Sequence, residues 1–308
     1  MKVLIELPTW LGDSVMATPA LENLVNHFKE LDIYLIGSFA SVEVLKNHPK
    51  VRKTYVWDKK FINFFQILKK FNNFDIFISF RGSSRSKIIK FFIKSKVKHQ
   101  FDKKKYKIGH QVEKYNNFIN DSLNIISSPG ELVLHNKVVI NSKKNKILGI
   151  NPGASYGDAK RWYPKKFANI AIELSNQFDI VIMGGSDEKV IAQDIEMYLV
   201  QNGIKNYQNL ATKTNIEELI SQISNLDLFI TGDSGPMHLA SALKIPTIAI
   251  FGPTNHNETS QWMNEKSIIV KKDLDCQPCM KRTCPLKHNN CMSKIKSSDV
   301  LREIKNLN

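Results

Sequence analysis

Leu228–Phe251 reads LFITGDSGPMHLASALKIPTIAIF. Leu228–Thr231 is a short apolar run with strand character, and Pro236–Leu243 has helical spacing. Thr247–Phe251 is a second apolar run. A strand, a short helix and another strand joined this tightly place the two strands parallel, because an antiparallel pair would need only a hairpin. Gly232-Asp233-Ser234-Gly235 fills the first junction, and Gly252-Pro253-Thr254 follows the last strand.

The same alternation extends in both directions. Upstream in the second half, Ile147–Ile150 and Ile180–Met183 read as strands, while Phe167–Phe178, Glu188–Val200 and Ile216–Ile223 read as helices. In the first half, Val3–Leu7, Ile33–Ile36, Thr54–Trp57 and Asp75–Phe80 read as strands. Ser14–Phe28, Val42–Lys46, Phe61–Phe71, Lys87–Ile93 and Gln111–Ile125 carry helical spacing. Asn141–Lys146 (NSKKNK) is a polar, charged stretch that separates the two runs as a linker. The expected fold class is α/β, with two Rossmann-like, doubly wound parallel-sheet domains spanning residues 1–143 and 144–308. Val300–Ile304 is patterned as a closing helix.

Ligands of open parallel sheets sit beyond the carboxyl ends of the strands, so the strand-end loops are where chemistry is expected. Pro8-Thr9-Trp10-Leu11-Gly12-Asp13 follows the first strand. An Asp there is commonly a helix cap, and it can equally take a proton from an attacking hydroxyl. Asn151–Trp162 (NPGASYGDAKRW) follows the first strand of the second half. Two glycines, Ser155, and the cations Lys160 and Arg161 suit phosphate binding, although the spacing is not that of a P-loop. In the opening stretch, Ser234 and Gly235 would turn helix N-terminal amides towards a diphosphate, with His238 one turn further. Glu188, four residues after Gly184, can accept ribose hydroxyls. Taken together, these loops describe a nucleotide-sugar site.

Composition narrows the partners. The chain has 308 residues, 42% hydrophobic and 24% charged, typical of a water-soluble globular protein. No apolar run approaches the ~20 residues of a membrane span, and MKVLIELP lacks the pattern of a signal peptide. Cytoplasmic residence is therefore expected. The net charge of +15 asks for an anionic partner. Part of it reflects compositional bias, but Arg81–Lys107 holds eleven Lys or Arg against the single acid Asp102. No nucleic-acid module accompanies this charge, so no nucleic-acid partner is expected; a basic nucleic-acid- or membrane-surface-binding protein is the non-enzyme alternative. Cys276, Cys279, Cys284 and Cys291 cluster late in the chain, with His288 between. A cytosolic location argues against disulfides. The spacing departs from the usual zinc patterns, so free thiols are favoured over a structural zinc ion.

PTWLGDSVMATPAL, NPGASYGDAKRW, TGDSGPMHLASAL with FGPT, and CQPCMKRTCPLKHNNCM occur in this order and span nearly the whole chain. Together they make the sequence resemble the ADP-heptose:lipopolysaccharide heptosyltransferases of glycosyltransferase family 9, particularly the type II enzymes. The resemblance implies a GT-B architecture whose two domains face a central cleft, with the last helix (about 297–308) returning to the first domain. It implies inverting transfer of heptose from ADP-heptose to the first heptose of the Kdo-lipid A inner core, with the type I acceptor as the alternative. Asp13 matches the family's proposed base. Lys160 matches the lysine at the donor diphosphate, with Ser155 and Tyr156 nearby. Glu188 matches an acid near the ribose, and Asp233, Ser234, Gly235 and His238 match the DSG-x-x-H element, followed by Thr254. Arg81, Arg85 and Lys87 are the expected contacts to the anionic acceptor, with peripheral contact to the inner-membrane surface. No metal or other cofactor is required on this reading, and Mg²⁺ assistance stays open.

Overall fold

The computed structural model describes residues 1–57, 66–69, 71, 73–139, 145–153 and 156–307. Contacts divide the chain into two compact units, Met1–Asn136 and Lys137–Asn308. The expected linker Asn141–Lys146 lies largely outside the described residues, as does most of the expected helix Phe61–Phe71.

In the first unit, strands β1 (Lys2–Glu6), β2 (Asp32–Gly37), β3 (Val51–Val56), β4 (Phe74–Ser79) and β5 (Ser95–Gln100) form one sheet. Its order is β3-β2-β1-β4-β5, and all neighbours are parallel. The strand order reverses between β1 and β4, and Glu6 stands beside Ser79 at the carboxyl end of that pair. A crevice opens where such an order reverses, because the connections leave to opposite sides. The core includes Leu4, Phe77, Ile89 and Ile93, all fully or almost fully buried.

The second unit repeats the plan with β6 (Lys146–Asn151), β7 (Phe178–Ile182), β8 (Tyr207–Asn209), β9 (Leu228–Gly232), β10 (Thr247–Ile250) and β11 (Ser267–Val270). The order is β11-β10-β9-β6-β7-β8, again parallel throughout. Here the reversal lies between β6 and β9, where Asn151 stands beside Thr231. The helix Ser297–Asn306 packs its buried Val300 and Ile304 into this unit's core.

Three local departures from the sequence reading have physical causes. The expected helix Ser14–Phe28 is two helices, Leu11–Met16 and Thr18–His27. Pro19 has no N–H to offer the carbonyl of Val15, and the Thr18 hydroxyl donates to that oxygen instead, at 2.7 Å. The helix expected over Phe167–Phe178 starts at Pro164, whose fixed φ suits a first turn, and ends at Leu174. Phe178 instead opens β7. Strands β5, β8 and β11 are absent from the sequence reading. All three are sheet edges: β5 and β8 are half-solvated, charged or short and carry no apolar run, and β11 is a run of only four residues, three of them partly exposed.

Candidate functional site

The carboxyl ends of β6 and β9 converge on a buried ion pair. Asp158–Lys160 forms a single turn after β6. From it the Lys160 ammonium reaches Asp233 Oδ2 at 2.5 Å and donates to the Asp233 carbonyl at 3.1 Å. Thr254, just after β10, donates its hydroxyl to the same carboxylate oxygen at 2.6 Å. Both charged side chains are buried, at 11% and 6% exposure, so their attraction is only weakly screened. The Lys160 nitrogen also stands 4.8 Å from the centroid of the Tyr156 ring. Tyr156 in turn donates its hydroxyl to the Met280 carbonyl at 2.7 Å.

Asp233 leads into the helix Gly235–Ala242, in which Pro236 occupies the second position rather than the first. Ser234 is the N-cap but makes no side-chain capping bond. Its hydroxyl instead accepts from the Asn151 amide at 3.1 Å and pairs with the Thr231 hydroxyl at 3.2 Å. The side chain is thus committed to tying β6 to β9. The first turn, including the Gly235 amide, lies beside Lys160 and Asp233 as an electropositive helix end. His238 is buried one turn along the same helix.

Glu188 stands at the neighbouring strand end, after β7. Its Oε2 accepts the Gly185 N–H at 2.7 Å, while Oε1 has no hydrogen-bond partner among the described residues. Burial pushes its carboxyl above the usual range, partly offset by the Gly185 amide. Gly153 explains how the loop after β6 lies against it, since a Cβ at that position would fall 1.9 Å from Glu188 Cγ. Ser155 lies outside the described residues. The structure therefore brings together Tyr156, Lys160, Asp233, Ser234, Gly235 and Thr254, with Glu188 against the same loop.

In the first unit, Asp13 sits in the first turn of Leu11–Met16, whose N-cap is Trp10 without a side-chain bond. Asp13 is therefore not the cap residue. It is half-buried, and its charge, after burial itself, helps hold the nearby Tyr115 phenol well above its ordinary pKa. The three expected acceptor residues do not share one environment. Arg81 lies at the end of β4 with its guanidinium 3.4 Å from Glu6 Oε1. Arg85 lies over the Trp57 ring, 5.6 Å from its centroid, and Lys87 is exposed on the helix Ser84–Phe92.

Two polar residues escaped the sequence reading. Glu6 is fully buried at the end of β1 and accepts hydroxyl bonds from Ser79 at 2.5 Å and Ser86 at 2.9 Å. Burial raises its carboxyl pKa, and the two serines and Arg81 offset part of that rise. Nothing in the β1 pattern separates this acid from an exposed one. Arg282, like Lys160, lies over the Tyr156 ring, 5.3 Å from its centroid, and its carbonyl accepts the Ala159 N–H at 3.0 Å. Gly157 permits this approach, because a Cβ there would fall 2.5 Å from the Arg282 oxygen.

Two groups carry metal-type ligands. The four cysteines form no disulfide and share one neighbourhood: burial first, and then the other three sulfurs, raise the Cys291 thiol. Backbone amides of Asn289, Leu286, His288 and Lys287 lower Cys284, and such a set suits a soft metal. Glu22, His48 and His135 place their ligand atoms within 4.8 Å of one another. The His48 Nδ1 accepts the Lys50 N–H at 3.0 Å. Its Nε2 therefore carries the proton and donates to Glu22, the reverse of the arrangement in which a metal-bound Nε2 is backed by an Nδ1–H donor. This trio is a hydrogen-bonded strut. An Asp-x-Asp spacing also occurs at Asp273 and Asp275, but Asp273 is exposed and ion-paired with Lys271.

Comparisons with known proteins point in one direction. The family model described as glycosyltransferase family 9 (heptosyltransferase) matches residues 133–290, more than half of the chain. Lipooligosaccharide heptosyltransferase 2 of Campylobacter jejuni subsp. jejuni serotype O:2 is 44% identical, covering 100% of this chain and 98% of its own. Lipopolysaccharide heptosyltransferase 1 of Campylobacter coli is 27% identical, covering 100% and 99%. Among solved structures, the E. coli ADP-heptose lipopolysaccharide heptosyltransferase II superposes with a TM-score of 0.80 at 20% identity, covering 100% and 98%.

Proposed function

Given that the chain belongs to glycosyltransferase family 9, we propose that it moves L-glycero-D-manno-heptose from ADP-heptose onto the first heptose of the Kdo-lipid A inner core. It is a glycosyltransferase of lipopolysaccharide or lipooligosaccharide core biosynthesis. The choice of the type II acceptor is carried by one observation: full-length identity is 44% to a type 2 enzyme and 27% to a type 1 enzyme.

The transfer inverts the anomeric centre in a single displacement. Asp13 takes the proton of the acceptor hydroxyl as its oxygen bonds to the anomeric carbon. The bond from that carbon to ADP breaks, and its electron pair leaves on the β-phosphate oxygen. Lys160 and the amides at the start of Gly235–Ala242 are the groups suited to that developing charge. The Lys160–Asp233 pair supports this assignment, because it holds a buried cation ready at a strand-order reversal. Asp233 is then the partner for heptose hydroxyls and Glu188 for the ribose, whose hydroxyls match the partnerless Oε1. Because protein groups carry the leaving-group charge, the reaction is read as needing no metal cofactor, and the cysteine loop is read as structural.

No helix among the described residues is long and apolar enough to cross a membrane. We place the enzyme in the cytoplasm with peripheral contact to the inner-membrane surface, where its lipid-anchored acceptor resides. The deciding experiment offers ADP-heptose with Kdo-lipid A and, separately, with its monoheptosylated form. Transfer to the monoheptosylated acceptor is expected, and transfer only to Kdo-lipid A overturns the type II reading.

A further inference from the structure

The helix Ser84–Phe92 is apolar on both sides. Ile89 and the following Ile93 turn into the sheet and are 0% and 1% exposed. The opposite face should be polar by the usual logic of an amphipathic helix, yet Phe91 is 78% exposed and Ile88 and Phe92 are each 43% exposed. Positions 88, 91 and 92 are three and four residues apart, so these side chains share one face. Cations surround them: Lys87 and Lys94 are exposed. The Lys98 ammonium lies at the helix's carboxyl end, donating to the Lys90 carbonyl at 2.9 Å. No Asp or Glu occurs between Arg81 and Lys98.

An exposed apolar centre inside a cationic ring is the composition of an interfacial helix, which buries aromatic and aliphatic groups at the acyl boundary and sets lysines among headgroups. We propose that this face, centred on Phe91, docks the protein on a bilayer containing anionic phospholipid. Charge complementarity selects this occupant. A second copy of the chain would oppose lysines to lysines. A nucleic-acid backbone would satisfy the lysines while leaving Ile88 and the phenylalanines against phosphates. The proposal takes its purpose, access to a lipid-anchored acceptor, from the proposed transfer reaction, but its physical content is independent of catalysis.

The test uses the full chain and vesicles with neither donor nor acceptor present. Co-sedimentation is measured with phosphatidylcholine alone and with phosphatidylcholine containing phosphatidylglycerol, at low and high salt. Salt-sensitive binding to the anionic vesicles alone is expected. Phe91→Ser should weaken it roughly tenfold, Phe91→Trp should preserve it, and Lys94→Glu should weaken it several-fold. Phe91 is exposed, so circular dichroism should show all three variants folded. Transfer to a detergent-dispersed acceptor should be unchanged in each. Absent binding at low salt, or binding indifferent to Phe91→Ser, overturns the proposal. So does a single-stranded oligonucleotide that binds more tightly and displaces the vesicles, or a dimer that Phe91→Ser dissociates. Vesicle binding by a protein without transferase activity would sink the functional reading and leave this one standing.

Discussion

The two sheets carry comparable polar clusters at comparable places and use them differently. In the first unit, Glu6 at the end of β1 meets Arg81 just past β4. In the second, Lys160 after β6 meets Asp233 after β9. Each cluster stands where the strand order reverses. Glu6 is completely buried, its oxygens taken by Ser79, Ser86 and Arg81, so this acid braces the loop that carries Arg81. Asp233 and Lys160 retain some exposure and lie beside a helix terminus and glycine-bearing loops. Opposite charges at a strand end are therefore read as scaffold in one unit and candidate chemistry in the other, on the complete burial and saturated oxygens of the acid Glu6 rather than on the exposure of the cations.

The sharpest way to break this comparison is to remove the groups assigned to the reaction. Asp13→Ala should lower kcat by about 10²–10⁴-fold, the range of a lost general base, with ADP binding and the melting temperature retained. Full activity in that variant sinks the base assignment. Lys160→Ala should lower kcat by about 10²–10³-fold and also weaken ADP binding measured by calorimetry. Unchanged ADP affinity would mean that the ion pair with Asp233 is scaffold after all.

Smaller effects test the scaffold half. Glu6→Gln keeps the shape but loses the charge that holds Arg81. It should raise the acceptor KM roughly tenfold with kcat nearly unchanged. An altered melting temperature without a KM effect would make Glu6 purely structural. The smallest effect is expected at Glu22, which His48 and His135 hold below the ordinary carboxylate range. Its stabilisation is present above the unfolded-state pKa and is lost as pH falls through the lowered native value. Glu22→Gln should therefore cost about 1 kcal/mol near neutrality, and the difference in melting temperature should close under acid. Glu6 has the opposite sign. Burial raises its pKa, so its contribution is full below the unfolded-state pKa and is lost as pH rises through the raised native value.

Much of the architecture was legible in the chain. Central strands such as β1, β6, β9 and β10 are short apolar runs because parallel strands are covered on both faces. Helices between them keep one apolar stripe. Three of the four edges were not legible: β5, for example, reads SKVKHQ, and its lysines, one paired with Asp75 of the neighbouring strand, suit an edge exposed to water. The strand-end motifs nominated Lys160, Asp233 and Thr254, which the fold brings into one cluster, whereas Arg81, Arg85 and Lys87 were grouped by charge density alone. Their different environments follow from what each meets: a buried carboxylate, an indole ring and solvent.

By itself the sequence determined the α/β class, the order of the central strands along the chain and the loops that bear Gly, Asp, Ser and Lys, because periodicity and turn residues act over a few neighbours. Only the tertiary structure decided which of those charges meet. Ser86 reaches Glu6 across 80 residues, and Lys160 reaches Asp233 across 73. The strength of such a contact depends on a few ångströms of separation and on the water excluded around it. Residue order sets neither; the strand order that places β4 beside β1 and β9 beside β6 sets both.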